Sequence, residues 1–310
     1  MSKKDKFVDI DNALKDLQES ISKLKDVDAG ELSDIVENFR QELYQGISRW
    51  SSVEIARHVN RPSSEEFIEA IFTDYLELHG DRIYEDDPAV TGGLAMLDEF
   101  PVVVIAHRKR SQNARDYTRH HFGMASPSGH YKAIRLMKLA EKFNRTVITF
   151  VDTPGAYPVP EAEFKGQSFS IAKCLETMAG LKTPVVACII GEAGSGGALA
   201  LGFGDKIIML ENAFYSSISP EGFSSIIYGD ASRKELAADT LRGAGSDLLE
   251  NGIIDYLIKE PVGGAHNEPV KVIEDTAKII KACVKELVGS DLHKVIELRA
   301  RRIEGLIHSD

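Results

Sequence analysis

Apolar residues recur at three- and four-residue steps through the first 80 positions and then change to short unbroken runs. Val8, Ile10, Leu14, Leu17, Ile21 and Leu24 make one amphipathic stripe, and Leu32, Ile35, Val36, Phe39, Leu43 and Ile47 make a second. Residues 26–30 (DVDAG) between them read as a turn, which predicts a helical hairpin. Shorter helices are expected over 50–57 and 63–78, the latter capped by Ser63 or Ser64 with Glu65 and Glu66 in its first turn. Residues 1–80 are therefore expected to form a helical N-terminal arm, an interface element rather than an independent domain.

From about residue 90 the pattern is that of buried strands. The runs 101–106 (PVVVIA), 146–151 (TVITFV), 184–190 (PVVACII) and 206–210 (KIIML) are continuously apolar, which suits strands covered on both faces. Helical stretches at 131–143, 167–181 and 196–203 lie between or after them. Alternation of strand and helix predicts an α/β domain over 81–310. The close spacing of the strands fits a compact ββα spiral at least as well as a doubly wound sheet. Residues 231–310 are mostly helical, with helices expected at 233–241, 270–288 and 291–307.

Composition narrows the class. The chain has 310 residues, 43% hydrophobic and 27% charged, an ordinary globular balance with enough length for a real core. No apolar run approaches the ~18 residues of a membrane span. The N-terminus runs into charged helical sequence without an apolar leader core, and the three cysteines, Cys174, Cys188 and Cys283, stand far apart. Both features predict a cytoplasmic protein with no cysteine zinc site of its own. The net charge of −11 argues against a nucleic-acid surface along the chain. The charge is uneven, however. Residues 105–145 hold ten Lys/Arg against Asp116 and Glu141, so this segment is +8 and the remainder −19. A solvated basic face and a docking surface for an anionic ligand or acidic partner are the two readings.

Two glycine-bearing loops follow strands. G-E-A-G-S-G-G-A-L-A at 191–200 opens a helix, and its glycines allow a backbone to approach a ligand with no Cβ in the way. Unpaired N–H groups at such a junction can stabilise an oxyanion. D-T-P-G-A-Y-P at 152–158 follows the preceding strand and is a second source of backbone donors, with G-Q-S at 166–168 beyond it. D-T-P-G is not a GTPase switch here, because no G-x-x-x-x-G-K-[ST] loop precedes it. Ala193-x-Ser195-x-Gly197 is close to a hydrolase nucleophile elbow, with Asp205 or Asp255 and His266 or His293 as candidate partners. The cysteines read as core thiols.

Together these stretches resemble one family. D-T-P-G-A-Y-P, G-Q-S, G-E-x-G-S-G-G-A-L-A, S-I-S-P-E-G at 217–222 and E-P-V-G-G-A-H at 260–266 occur in the order found in the α subunits of bacterial acetyl-CoA carboxylase carboxyltransferase. E-L-H-G-D-R at 77–82 and H-F-G-M at 121–124 belong to the same pattern. The resemblance implies a crotonase-like ββα spiral and an α2β2 enzyme. In such an enzyme the β subunit carries zinc and most of the coenzyme A pocket. It further implies transfer of a carboxyl group from carboxybiotin, held on a biotin carboxyl carrier protein served by biotin carboxylase, to acetyl-CoA. Gly196 and Gly197 match the family's biotin-side oxyanion donors, and Gly155 and Ala156 lie where the fold places another loop donor. Tyr157, Gly194, Ser195, Gln167, Arg108 and Lys109 are the expected substrate-binding residues. Departures from the family pattern fall at Ala193, Val159 and Pro160, Phe169, and His130 and Tyr131. They leave the acyl group open, including a paralogous carboxylase that serves another acyl-CoA.

Overall fold

A computed structural model describes residues 6–23, 29–44, 47–109 and 114–307. Helices α1 (Lys6–Ser22) and α2 (Ala29–Tyr44) pack on each other as the two stripes predict. The predicted turn between them lies mostly outside the described residues; Ala29 and Gly30 already belong to α2. Next come α3 (Arg49–Ala56) and α4 (Ser64–Ile71). Ser63 caps α4 in a full capping box: its hydroxyl accepts from the Glu66 amide while the Glu66 carboxylate accepts from the Ser63 amide.

The sheet starts earlier than the pattern predicts. The helix expected over 63–78 ends at Ile71, and β1 (Thr73–Glu77) follows it as an edge strand. The strand was hidden because its polar, largely exposed residues lack an apolar run. β2 (Val90–Leu97), β3 (Phe100–His107), β4 (Thr146–Thr153), β5 (Val185–Gly194), β6 (Lys206–Leu210), β7 (Phe214–Ser216) and β8 (Tyr256–Ile258) complete one mixed sheet of eight strands. Its order is β1-β2-β3-β4-β5-β6-β8. β1 pairs with β2, and β2 with β3, antiparallel, whereas β3 through β6 and β8 run parallel. β5 serves two partners in turn. It pairs with β6 through Val186–Ile189 and then with β7 through Glu192–Gly194. Every residue of β4 and β5 is buried, as their apolar runs require.

The remaining helices are α5 (Ala114–Arg119), α6 (Pro127–Lys142), α7 (Pro160–Phe164), α8 (Gln167–Ala179), α9 (Ser195–Leu199), α10 (Pro220–Tyr228), α11 (Lys234–Leu241), α12 (Gly245–Glu250), α13 (Pro269–Val288) and α14 (Leu292–Ile307). α6 packs on β2–β4 and against α8, while α13 packs on β5, β6 and β8 and touches α4. Phe67, Ile68 and Ile71 of α4 enter the main core, so the last helix of the expected arm is built into the sheet domain. Among the described residues no helix is long and apolar enough to cross a membrane.

Two buried ion pairs stitch distant segments to the sheet. Arg61 donates to Glu260 at 2.6 and 2.8 Å and to the Ile190 carbonyl at 3.1 Å, with both charged side chains fully buried. Glu260 also accepts from Asn212 and from the Ala265 amide. Arg299 anchors α14: it pairs with Asp205 at 2.6 Å and donates to the carbonyls of Met178, Leu181 and Thr183. Removing one partner of such a pair strands a buried charge. Arg61→Met is therefore expected to destabilise the chain by about 3–5 kcal/mol, measured by urea denaturation followed by circular dichroism.

Two histidines are buried, His107 at the end of β3 and His130 in α6. Neither ring nitrogen of His107 has a hydrogen-bond partner, and burial holds its pKa down at about 3. His130 of α6 bonds Ser170 of α8 at 2.9 Å, and burial lowers its pKa to about 4. Both are neutral in the folded chain, whereas the unfolded chain takes up protons below about pH 6.5. Their contribution to stability is thus full above that pH and is lost as pH falls toward 4. The expected slope is about 1.4 kcal/mol per pH unit for each histidine. Urea titrations at pH 7, 6 and 5 should show this loss, and His130→Gln should make it shallower.

Candidate functional site

The parallel pairing of β4 with β5 brings the two glycine-bearing loops together at the same end of the sheet, where Thr153 faces Ala193. The contact is backbone on backbone. A Cβ on Gly194 would lie 2.1 Å from the Pro154 carbonyl oxygen, and one on Gly197 would lie 2.5 Å from the Gly155 carbonyl carbon and 2.7 Å from the Ala156 nitrogen. Any side chain at either position would force the loops apart. Gly155 has φ +154, a conformation that side chains rarely adopt, and its amide and carbonyl both bond the Thr153 hydroxyl. Ser195, the first residue of α9, has φ +54 and is exposed. A non-glycine residue in that region is strained and stays there only when its surroundings hold it.

Gly155, Ala156, Tyr157, Gly194, Ser195, Gly196 and Gly197 therefore form one cluster. In the first turn of α9 the amides of Gly196 and Gly197 precede any intrahelical acceptor, the property that lets such a turn receive negative charge. Tyr157 is half-buried and stacks on His121, with ring centroids 4.0 Å apart. The two rings border a cavity of about 260 Å³ that Ser126, Val159 and Lys165 also line. Gln167 stands behind the loop: its Nε2 and the Tyr157 amide both donate to the Ala125 carbonyl. A larger cavity of about 690 Å³ lies elsewhere, between α2, α3 and the loops after β6 and β8. Its cations are already paired, Arg49 with Asp247 and Lys259 with Glu211.

The basic segment does not form the open face that its charge suggests. Arg108 pairs with Glu65 at 2.8 Å and Glu77 at 3.0 Å. Lys109 is buried and donates to Glu192 at 2.6 Å, with Asp152 at 3.4 Å. Lys132 is buried against Asp86 and the Val90 carbonyl, and Arg135 donates to the Gly80 carbonyl. Arg110 lies outside the described residues. Only Arg115, Arg119, Lys138 and Lys142 remain exposed among the described members of the segment. Lys109 thus lies beneath the glycine loops, while Arg108 is tied to α4 and β1.

The hydrolase reading loses its partners. Asp205 is held by Arg299 and the Val185 amide, and Asp255 by Arg302 and the Ile207 amide. The His266 ring stacks on His58, and His293 is exposed at the start of α14. Among the described residues no histidine hydrogen-bonds Ser195.

Sequence reasoning missed the charges under the loops. Glu192 is 7% exposed, and Lys109 and Arg57 together hold its carboxyl at a pKa of about 2, against the opposing effect of burial. Arg57 extends the network to Glu221 at 2.6 Å. An ionisable residue at the end of an apolar strand was the available signal, since such a group requires a partner. The departures from the family pattern each have a local account. Pro160 is the first residue of α7 after Val159, a position where a missing N–H costs nothing. Ala193 is buried with no positive φ, His130 bonds Ser170, and Tyr131 is half-buried against the core. Phe164 and Phe169 point outward, at 93% and 66% exposure.

Residues 4–306 match the family model described as acetyl co-enzyme A carboxylase carboxyltransferase-like. The acetyl-coenzyme A carboxylase carboxyl transferase subunit alpha of Bacillus cytotoxicus is 45% identical over 296 residues, covering 94% of this chain and 91% of that one. The subunit of the same name from Bacillus thuringiensis is 46% identical over 268 residues, covering 86% and 82%. Among solved structures, the transcarboxylase 12S core superposes with a TM-score of 0.61 at 17% identity, over 78% of this chain and 45% of that chain. The Pseudomonas malonate decarboxylase MdcD-MdcE hetero-dimer gives 0.55 at 15% identity, over 71% and 91%. These likenesses establish the shared crotonase-like α/β fold. With a family model spanning nearly the whole chain and relatives close to half identical, the chain belongs to the acetyl-CoA carboxylase carboxyltransferase family.

Proposed function

We propose that this chain is the α subunit of an acetyl-CoA carboxyltransferase and forms the biotin side of its active site. The observation that carries the reading is the backbone contact of the 153–157 and 194–197 loops in a chain so similar to named α subunits. The reaction moves a carboxyl group from carboxybiotin to the methyl carbon of acetyl-CoA, giving malonyl-CoA. As the carboxyl group leaves, charge gathers on the ureido oxygen of biotin; as the methyl group gives its proton to the biotin nitrogen so freed, charge gathers on the thioester oxygen, and the resulting enolate carbon takes up the carboxyl group. Both are oxyanions, and fixed N–H donors stabilise such charge without a side-chain nucleophile. The amides of Gly196 and Gly197 serve the biotin oxygen, with Gly155 and Ala156 as the adjoining loop. Tyr157, with Gln167 behind it, shapes the approach.

The rest of the site comes from partners. A β subunit supplies the acyl-CoA pocket and carries the zinc in an α2β2 assembly, in which the N-terminal arm ahead of α4 contributes contact surface. A biotin carboxyl carrier protein delivers the carboxyl group that biotin carboxylase attaches. The cytoplasm is the place for such an assembly.

The test is co-expression with the β subunit and an assay of malonyl-CoA decarboxylation driven by free biotin. The complex should be active and the isolated chain inactive. Gly197→Val should lower kcat by about a hundred- to a thousandfold, the cost of losing one oxyanion donor, because its side chain pushes the 155–156 backbone away. Ser195→Ala should cost less than about tenfold, since no bond to Ser195 forms in this mechanism. Circular dichroism checks that both variants fold. A dead Ser195→Ala beside an active Gly197→Val would reverse the assignment in favour of a serine hydrolase.

A further inference from the structure

The Gly194–Gly197 turn has little of its own to hold its shape. Three of its four residues are glycine, and the fourth, Ser195, sits at φ +54. Just before it is a buried glutamate whose carboxylate is clamped by two cations and whose amide is tied to a third residue. Lys109 Nζ, just after β3, donates to Glu192 Oε2 at 2.6 Å. Arg57, at the end of α3, donates to Glu192 Oε1 at 2.9 Å and to Glu221 at 2.6 Å. The Glu192 amide donates to Asp152 Oδ1 at 3.1 Å, which ties the same residue to the end of β4.

Burying such charges is expensive, and an apolar residue of similar size would fill the space without that cost. The location suggests what the network provides. Lys109 also packs beneath the H-F-G-M segment: a Cβ on Gly123 would meet Lys109 Cβ at 2.9 Å and the Asp152 carbonyl oxygen at 2.7 Å. That segment carries His121, which stacks on Tyr157. One lysine therefore meets the two acids that precede the loops, Asp152 and Glu192, and the backbone of the segment that carries His121.

We infer that Glu192 is a positioning residue for carboxyl transfer, with Lys109 and Arg57 as its clamps: the network sets the depth and orientation of the Gly194–Gly197 turn against the 154–156 backbone. The inference rests on the proposed function, in which this turn receives the charge developing on biotin. Small misplacements of such groups reduce the rate far more than they reduce binding.

The experiment compares Glu192→Gln, Lys109→Met and Lys109→Arg in the complex co-expressed with the β subunit, measuring kcat, the KM values for malonyl-CoA and biotin, and the melting temperature. Glu192→Gln and Lys109→Met should each lower kcat by about 10- to 100-fold while both KM values stay within about threefold. Lys109→Arg should recover to within about fivefold of wild type. The double variant should be no worse than the poorer single one, as expected of residues acting as a unit. Variants that melt lower yet keep wild-type kcat per folded complex, or that change only KM, overturn the inference. If Glu192→Gln yields no folded complex, the Lys109 pair decides the matter, because Arg57 still neutralises Glu192. An inactive wild-type complex would sink the functional reading itself and the inference with it, an outcome distinct from active wild type with unaffected variants.

Discussion

A carboxylate at the end of a buried strand must find positive charge or it will not remain there ionised. Glu192 occupies that position in β5, and the elements that answer it define the site. Lys109 comes from the segment after β3, Arg57 from the end of α3, and Asp152 from β4. These segments are separated by up to 135 residues in the chain, yet they meet around one side chain. The glycine-bearing turn that follows Glu192 has no such anchors of its own. Its conformation depends on what precedes it and on the Pro154–Ala156 backbone that presses against it.

The same device recurs at the margins of the domain. Arg61 and Glu260 join the segment before α4 to the loop after β8, and Arg299 with Asp205 fastens α14. In each case an arginine also donates to strand or helix-end carbonyls, so its donors are well satisfied. Such pairs favour one arrangement of chain segments over others that would bury the same apolar area, because any other arrangement would strand a charge. Helices from both ends of the chain are thereby held to one sheet, and the two loops sit on a frame that resists relative movement.

Much of this was legible in the sequence. The runs at 101–106, 146–151, 184–190 and 206–210 each fall on a strand, because a strand buried on both faces has no reason to alternate. The helical stripes of α1, α2, α8, α13 and α14 were equally plain. Three kinds of feature were not. β1 is an exposed edge whose polar residues carry no periodic signal, and β7 and β8 are three residues long. Gly197 could be seen as a small residue, but not that the Gly155 carbonyl occupies the place of its Cβ. Arg108 and Lys109 read as substrate-binding cations, since the acids that neutralise Lys109 lie 43 and 83 residues further on.

The sequence by itself determined the strands β3 to β6 and the longer helices, and it placed two glycine-bearing loops directly after successive strands. Those properties are local: they depend on side-chain periodicity, backbone freedom and the residues at each junction. The tertiary structure alone decided that the loops touch, that a lysine from the basic segment turns inward beneath them, and that Ser195 has no histidine partner among the described residues. Those properties depend on distance in space. Coulomb attraction and backbone contact act only between groups a few ångströms apart, and it is the parallel register of β3, β4 and β5 that sets those distances.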